Sequence, residues 1–266
     1  MIERLRSRAR NVIQLMRFMR ILSNGHTVFR AFRGANVEIR TLDFRDGTRF
    51  HVRDGASAVH IFEDIFVTRC YDFPEVRTAH QIVDVGANIG LFAYFARRQN
   101  PTAKILAIEA DPHTTKILQS NVEGKGIDTL HCAVSDQAGT MPFYSANISG
   151  WSSLYDVRGA KGGERVSVPA MRLSRILQDR GIGRIGLLKV DVEGAEYPIL
   201  LEDKELWNTP IDAILVEVDH DPRDTRYSFS QFYELLRNFF RQVTIVNPVA
   251  EYPLIYATGR KSTPAV

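Results

Sequence analysis

The sequence predicts an α/β protein, a doubly wound, mostly parallel sheet preceded by an N-terminal helix and hairpin extension. Two observations carry that prediction. From residue 80 onward, short buried-strand runs alternate with helical stretches, the pattern of a parallel sheet with helices on both faces. The first of these runs, Ile82-Val83-Asp84-Val85, ends in a glycine-bearing turn, Gly86-Ala87-Asn88-Ile89-Gly90, that leads straight into a helix. A length of 266 residues suits one large domain or one domain with an appendage. With 44% hydrophobic and 24% charged residues, the composition excludes a disordered chain, a collagen or a coiled-coil rod. Cys70 and Cys132 are too few and too far apart for a disulfide scaffold or a four-ligand zinc site. The longest uncharged apolar runs, such as Leu91 to Ala96, are far below the roughly 18 residues of a spanning helix. The arginine-rich N-terminus has no secretory signal pattern.

Taken in order, residues 2–22 read as a helix, because Leu5, Ala9, Val12, Ile13, Met16 and Met19 recur at three- and four-residue steps. Asn24-Gly25 supplies its stop. Val37, Ile39 and Leu42, then Asp46-Gly47, then Phe50 and Val52 read as a hairpin with an Asp-Gly turn. Phe62 to Tyr71 reads as helix passing into strand. The sheet domain then follows as strands Ile82–Val85, Ile105–Glu109, Thr129–Val134, Ile185–Val190 and Ile211–Val218. Between them lie helices from Ile89 to Arg98, from Pro112 to about Val122, from Leu173 to Asp179 and from about Glu193 to Leu201. Asp111 is positioned to cap the second of these, with Pro112 at its first turn. Ser228 and Gln231 form a capping box for a helix to Phe240, and Val243–Val246 with Leu254–Ala257 close as a hairpin. The expected division is residues 1–33 as a basic amphipathic helical extension, 34–79 as a hairpin or lid region, and 80–260 as the cofactor-binding sheet domain. Met141 to Arg165, rich in Gly, Ser and aromatics, reads as a long binding loop or lid. Within it, Trp151 beside Ser152 and Ser153 suits a sugar or other polar ring.

A strand ending in glycines brings bare backbone close to a ligand, and the helix N-terminus behind it offers free N–H groups to a carboxylate or phosphate. An acid about 20 residues on, at the end of the next strand, accepts hydrogen bonds from ribose hydroxyls. Glu109 stands there. The dinucleotide fingerprint G-x-G-x-x-G fails, because position 88 is Asn. The spacing D-x-G-x-x-x-G instead suits S-adenosylmethionine, with Asp84 meeting the ammonium directly or through water.

Asp84 to Gly90 resembles the first motif of class I S-adenosylmethionine-dependent methyltransferases. Further segments resemble the FkbM-type branch: Ala133-Val134-Ser135-Asp136 followed by Gly139, Trp151-Ser152-Ser153-Leu154, and Leu187-Leu188-Lys189-Val190-Asp191-Val192-Glu193-Gly194-Ala195-Glu196. The resemblance covers about residues 60–246. It implies the seven-stranded Rossmann-like sheet of class I methyltransferases, with a final hairpin antiparallel to the rest, and O-methylation, commonly of sugars in glycolipids, polysaccharides or natural products. Met171-Arg172-Leu173-Ser174 departs from the Thr-Leu-Asp frequent in the family before the fourth strand, and the arginine-rich start lies outside the shared core.

Doubly wound sheets bind ligands at the carboxyl ends of their strands. That selects Gly86, Ala87, Asn88 and Gly90, with Glu109, Ala110, Asp111, Ser135 and Asp136, for the cofactor. By the resemblance, Asp136 meets the adenine amino group. Methyl transfer to an alcohol needs in-line positioning and a general base worth roughly 10²–10⁴-fold. Candidates are His220, which titrates near neutrality, Asp191, where class I methyltransferases often place a catalytic or acceptor-orienting acid, and Glu193. Glu193 and Glu196 either bind acceptor hydroxyls or cap a helix. Glu217 either positions the acceptor or pairs with Lys189. The acids Asp191, Glu193, Glu217, Asp219 and Asp221 suit Mg²⁺ or Ca²⁺ chemically, but no metal is assigned.

The net charge of +3 conceals an asymmetry. Residues 1–33 hold eight arginines and one acid, Glu3, for +7, while the remaining 26 basic and 30 acidic residues give −4. A mildly acidic body argues against a nucleic-acid groove. Residues 1–22 are expected to pack on the body or on a second subunit, ahead of lying on an anionic membrane surface. The expected location is the cytoplasm, with the inner membrane face within reach. The leading reading is methyl transfer to a sugar hydroxyl. The alternatives are a methyltransferase for another small molecule, a protein or RNA, and a non-catalytic module that keeps the fold.

Overall fold

The computed structural model describes residues 2–145, 164–219, 225–246 and 253–261, with the backbone alone for residues 2–8. Its main sheet has seven strands: β3 (Gln81–Val85), β4 (Lys104–Glu109), β5 (Ile127–His131), β9 (Leu187–Val190), β10 (Ala213–Glu217), β11 (Phe240–Ile245) and β12 (Leu254–Arg260). They lie in the order β11-β12-β10-β9-β3-β4-β5. The order reverses at β3, which pairs in parallel with both β4 and β9 and so opens a crevice at its carboxyl end. The expected antiparallel ending is half correct. β12 runs against both β10 and β11, so β11 itself runs with the rest, and β12 is the single reversed strand of this sheet.

Strand parity divides the core in two. Ile82, Ile105, Ala107, Leu187, Ala213, Leu215 and Tyr256 face one layer, while Val83, Val85, Leu106, Ile108, Leu188, Val190, Ile214 and Val216 face the other. α7 (Leu173–Asp179), α8 (Glu196–Glu202) and α9 (Phe229–Phe239) cover the second face through Ile176, Ile199 and Phe232. The first face is covered by α5 (Leu91–Gln99) together with N-terminal elements, α1 (Ile2–Ile21), α2 (Gly25–Phe32), α3 (Gly55–Phe62) and α4 (Pro74–Thr78). Their contribution is aromatic. Phe18, Phe44, Phe50 and Phe62 are buried, and Phe62 stacks on Phe66 at 5.3 Å between centroids.

Several sequence expectations shift. Asn24-Gly25 ends α1 but also starts α2, with Asn24 as its N-cap residue. The hairpin forms as β1 (Thr41–Asp43) and β2 (Arg49–His51). Phe62 to Tyr71 contains no strand. α3 runs on as a π-helical segment, Glu63–Thr68, that ends at Arg69 in the left-handed region. Thr129–Val134 is two strands, broken at Cys132, because Ala133–Val134 (β6) leaves the main sheet to join β7 (Gly139–Ser145) and β8 (Glu164–Met171). The segment expected as a loop from Met141 therefore starts in β7 and ends in β8, which pair from Gly139↔Ala170 to Ser145↔Glu164.

The apolar stripe of α1 does not take the packing on the body that is one of its two expected partners. Phe18 and Leu22 are fully buried, yet Val12, Ile13, Met16 and Met19 are 51%, 52%, 63% and 41% exposed. Val12, Ile13, Met16 and Met19 face away from the body, and the helix packs through its other side.

Candidate functional site

The side chains at the carboxyl ends of the strands follow from parity. Glu109 shares a face with Ile105 and Ala107, Asp84 with Ile82, Lys189 and Asp191 with Leu187, and Glu217 with Ala213 and Leu215. Five polar groups thus converge under the N-terminal cover. All but Asp84 border a cavity of about 370 Å³, whose wall includes Gly86, Ala87, Asn88, Glu109, Ala110, Lys189, Asp191, Glu193, Glu217 and Asp219. The N-terminal segment adds Ser57, His60, Ile61, Asp64, Ile65 and Tyr71.

The glycine turn is built by three left-handed residues, Gly86 at φ 77°, Asn88 at φ 50° and Gly90 at φ 92°. A Cβ at Gly86 would collide with the carbonyl oxygen of Asp191, so glycine is required by backbone approach as well as by φ. Within this turn every N–H is engaged, so open donors of a helix N-terminus belong to the first turn of α5, from Leu91. Gly86 and Ala87 donate to the Ile108 carbonyl at 3.0 and 2.9 Å, Asn88 to Glu109 Oε2 at 2.8 Å, Ile89 to the Asn88 side chain and Gly90 to the Ala87 carbonyl. The turn therefore locks itself to β4 and brings backbone, rather than a nest of open donors, to the cavity. Gly90, left-handed at φ 92°, sits against Leu118 and Val122 and serves packing.

Glu109 is held from both sides. Its Oε2 accepts from Asn88 N and its Oε1 from Asp111 N, each at 2.8 Å. Burial pushes its pKa up to about 7 against those backbone donors. Two carboxylate oxygens carry more lone pairs than these two bonds use, which leaves acceptor capacity on a wall residue. Asp111 is turned away. It caps α6 (Pro112–Val122) by accepting from His113 N and Thr114 N, and its other oxygen meets Arg53 at 2.7 Å and the Ser145 hydroxyl at 2.6 Å. Burial opposes its ionisation, but Ser145 and Arg53 outweigh burial and its pKa is lowered.

Beyond the turn, Lys189 links β9 to β3 and to the turn that follows it. Its Nζ lies 3.2 Å from Asp84 Oδ1, 3.2 Å from Asp191 Oδ2 and 3.3 Å from the Gly86 carbonyl. The rings of Phe92 and Tyr71 lie 5.7 and 5.9 Å away, within cation–π range. Asp84 and Lys189 are direct ladder partners. Burial works against the ammonium, and Asp191 and Asp84 more than offset it, so the Lys189 pKa is raised. Asp84 is fully buried, behind the wall rather than on it, and is in contact with Lys189 as an ion pair rather than through an aimed hydrogen bond. A cavity ligand reaches its charge only through that lysine.

Glu217 accepts from the Tyr71 hydroxyl. Burial first, then the charge of Asp191, pushes its pKa up to about 7, while Tyr71 and Lys189 pull the other way. Asp64, on the π-helical segment, is likewise raised to about 6 by burial and Glu63.

Other expected positions lie elsewhere. Glu196 is 1% exposed and accepts from Val192 N and Gly194 N, bracing the turn where Glu193 is left-handed at φ 57°. It is an internal brace, so the substrate role expected of it is corrected. Ser135 bonds Asp136, whose carbonyl accepts from Arg172, and neither residue borders the cavity, whereas their neighbours Cys132, Ala133 and Val134 do. Trp151, Ser152, Ser153 and His220 lie outside the described residues. Sequence reasoning missed Lys189 and Tyr71 as wall residues. The lysine inside an otherwise apolar strand, Leu187-Leu188-Lys189-Val190, was the available signal. Among the described residues, no group of three or more His, Cys, Asp or Glu is disposed to hold a metal ion.

Residues 84–243 match the Methyltransferase FkbM domain. The chain is 35% identical over 195 residues to methyltransferase sdnD of Sordaria araneosa, covering 61% of this chain and 75% of that protein. It is 33% identical over 219 residues to the 31-O-demethyl-FK506 methyltransferase FkbM of Streptomyces tacrolimicus, covering 69% and 82%. A third relative, 2-O-methyltransferase NoeI of Sinorhizobium fredii, is 25% identical over 139 residues, covering 47% and 57%. The domain match takes in the glycine turn, Glu109, the Lys189 strand and Glu217 together, and on that basis the chain belongs to the FkbM family of methyltransferases.

Proposed function

We propose that this methyltransferase takes its methyl group from S-adenosylmethionine and delivers it to a hydroxyl oxygen of a small-molecule or glycan acceptor. The observation that carries the reading is one cavity with Glu109 toward one end and Asp191 with Glu217 toward the other. β4 and β10 are three strand spacings apart in the sheet order, roughly 14 Å at about 4.8 Å each. That span accommodates a nucleoside at β4 and a reacting centre above β9 and β10. Glu109 has acceptor capacity for a ribose diol, and the bare Gly86 backbone leaves room for the chain that joins the two ends. Asp84 acts through Lys189, since Asp84 is sealed behind the wall and Lys189 stands on it. When bound, the donor supplies an electrophilic methyl group.

Glu217 suits the general base. Its carboxyl titrates near 7, it borders the cavity, and the Tyr71 hydroxyl fixes its orientation. Oδ2 of Asp191 is already engaged by Lys189, so Asp191 fits orientation of the acceptor better than proton removal. Asp64, Asp191, Glu193 and Asp219 surround the same space. Such a wall favours acceptors that donate hydrogen bonds, as sugar hydroxyls do, and disfavours anionic ones, nucleic acid included. The relative named as a 2-O-methyltransferase agrees with a hydroxyl acceptor. A non-sugar alcohol is the second reading, favoured by the apolar wall residues Ile61, Ile65, Phe92 and Phe143 and by the relative named for 31-O-demethyl-FK506.

The test is transfer of a labelled methyl group to a panel of mono- and oligosaccharides, glycolipids and apolar non-sugar alcohols, with amines as controls. Labelled ether on a sugar supports the first reading, and on a non-sugar alcohol the second. Labelling of amines alone overturns O-methylation.

A further inference from the structure

We propose that the outer face of α1 is a docking surface for an anionic lipid bilayer, on which the helix lies without crossing. α1 is two-faced. Phe18 and Leu22 are buried in the body, while Val12, Ile13, Met16 and Met19 form an exposed stripe on the other side. At 100° per residue, Ala9, Val12, Ile13, Met16 and Met19 fall within a sector of roughly 120°. Arg10, Arg17 and Arg20 are exposed and fall inside or beside one edge of that sector. Arg45 joins them at the helix end, bonding the Met19 carbonyl through its guanidinium.

Charge decides the occupant. Residues 1–22 hold six arginines and a single acid, Glu3. Two copies meeting through this face would bring their arginines together with almost no acid to pair them. A bilayer rich in anionic headgroups supplies the missing charge, and its acyl boundary takes the apolar stripe. No helix among the described residues is long and apolar enough to cross a membrane, which fits a helix lying in the interface plane. The surface is joined to the cavity wall. Gln14 on α1 donates to Glu63 at 2.9 Å, and Glu63 precedes the wall residues Asp64 and Ile65. Lipid contact would therefore bring the cavity close to acceptors held at a membrane.

The experiment is flotation of the full chain with vesicles of phosphatidylcholine alone and with added phosphatidylglycerol. Two variants accompany it, Ile13→Glu/Met16→Glu and Arg10→Gln/Arg17→Gln/Arg20→Gln. All five positions are exposed, and thermal unfolding checks that both variants fold. The expected result is binding to the anionic vesicles only, weakened by salt and reduced at least about tenfold in each variant. Absence of wild-type binding overturns the proposal, as does binding that the Ile13→Glu/Met16→Glu variant retains. A wild-type dimer in sedimentation that this variant dissociates, without vesicle binding, overturns it in favour of a second copy.

Discussion

Lys189 shows how much one side chain can organise. Its ammonium is buried among Asp84, Asp191 and two aromatic rings, and it is the ladder partner of Asp84. Removing one member of a buried ion pair leaves the other charge uncompensated, at about 3–5 kcal/mol. Lys189→Met should therefore lower unfolding free energy in urea by about that amount, and Asp84→Asn added to it should restore most of the loss. A loss under about 1 kcal/mol would mean that the pair is already solvated. Glu217 makes a kinetic prediction. A general base works ionised, so with its pKa at about 7 the rate should rise with pH through neutrality. Glu217→Gln should abolish that limb and lower kcat by roughly 10²–10⁴-fold. A pH profile that keeps the limb in the variant would move the base elsewhere.

At the scale of elements, the glycine turn is fixed by its neighbours. Gly86 lies against the backbone after β9, Asn88 N is bonded to Glu109 on β4, and Asn121 of α6 reaches the Ile89 carbonyl at 3.0 Å. Asn121 also exchanges hydrogen bonds with the His51 backbone, at 2.8 and 3.0 Å, which ties the N-terminal hairpin to the same turn. Gly86→Ala imposes both a left-handed φ on alanine and a clash with the Asp191 carbonyl. It should cost at least about 2 kcal/mol and abolish donor binding in any protein that folds. Normal donor affinity in a fully stable Gly86→Ala protein would show that the turn relaxes freely. Helix and strand positions in this region were legible in the sequence, because strand runs and capping residues such as Asp111 and Ser228 act locally. The locked N–H groups of the turn were not, since Ile108 and Glu109, which accept from them, are recognisable as partners only once β3 and β4 are side by side.

For the whole molecule, the N-terminal segment is a wall of the site and a half of the core. Its residues from Phe18 to Tyr71 share one hydrophobic layer with Ile82, Leu215 and Tyr256 of the sheet. The sequence signalled an appendage, because composition changes sharply after residue 33; the aromatic packing that joins it to the sheet is long-range and leaves no periodic mark. Tyr71 reaches both Lys189 and Glu217 across more than 100 residues of sequence, for the same reason. Burial of acids also shapes global stability. Asp64 is raised to about 6, Glu109 and Glu217 to about 7 and Glu196 to about 8, from ordinary values of 3.8 to 4.5. Each binds its proton more tightly when folded, so their contribution is complete below about pH 4 and is lost as pH rises through about 6 to 8. Melting temperature should fall between about pH 5 and about pH 8, and a rising curve over that window would contradict the burial of these groups.

Methyl transfer as proposed requires the cavity at the carboxyl ends of β3 and β4 to hold S-adenosylmethionine. Calorimetric titration of the full chain with S-adenosylhomocysteine, with NAD as control, tests it most directly. One-to-one binding of S-adenosylhomocysteine alone is expected, weakened in Glu109→Ala by about 1–3 kcal/mol. A folded sample that binds neither compound, or binds NAD instead, would contradict it.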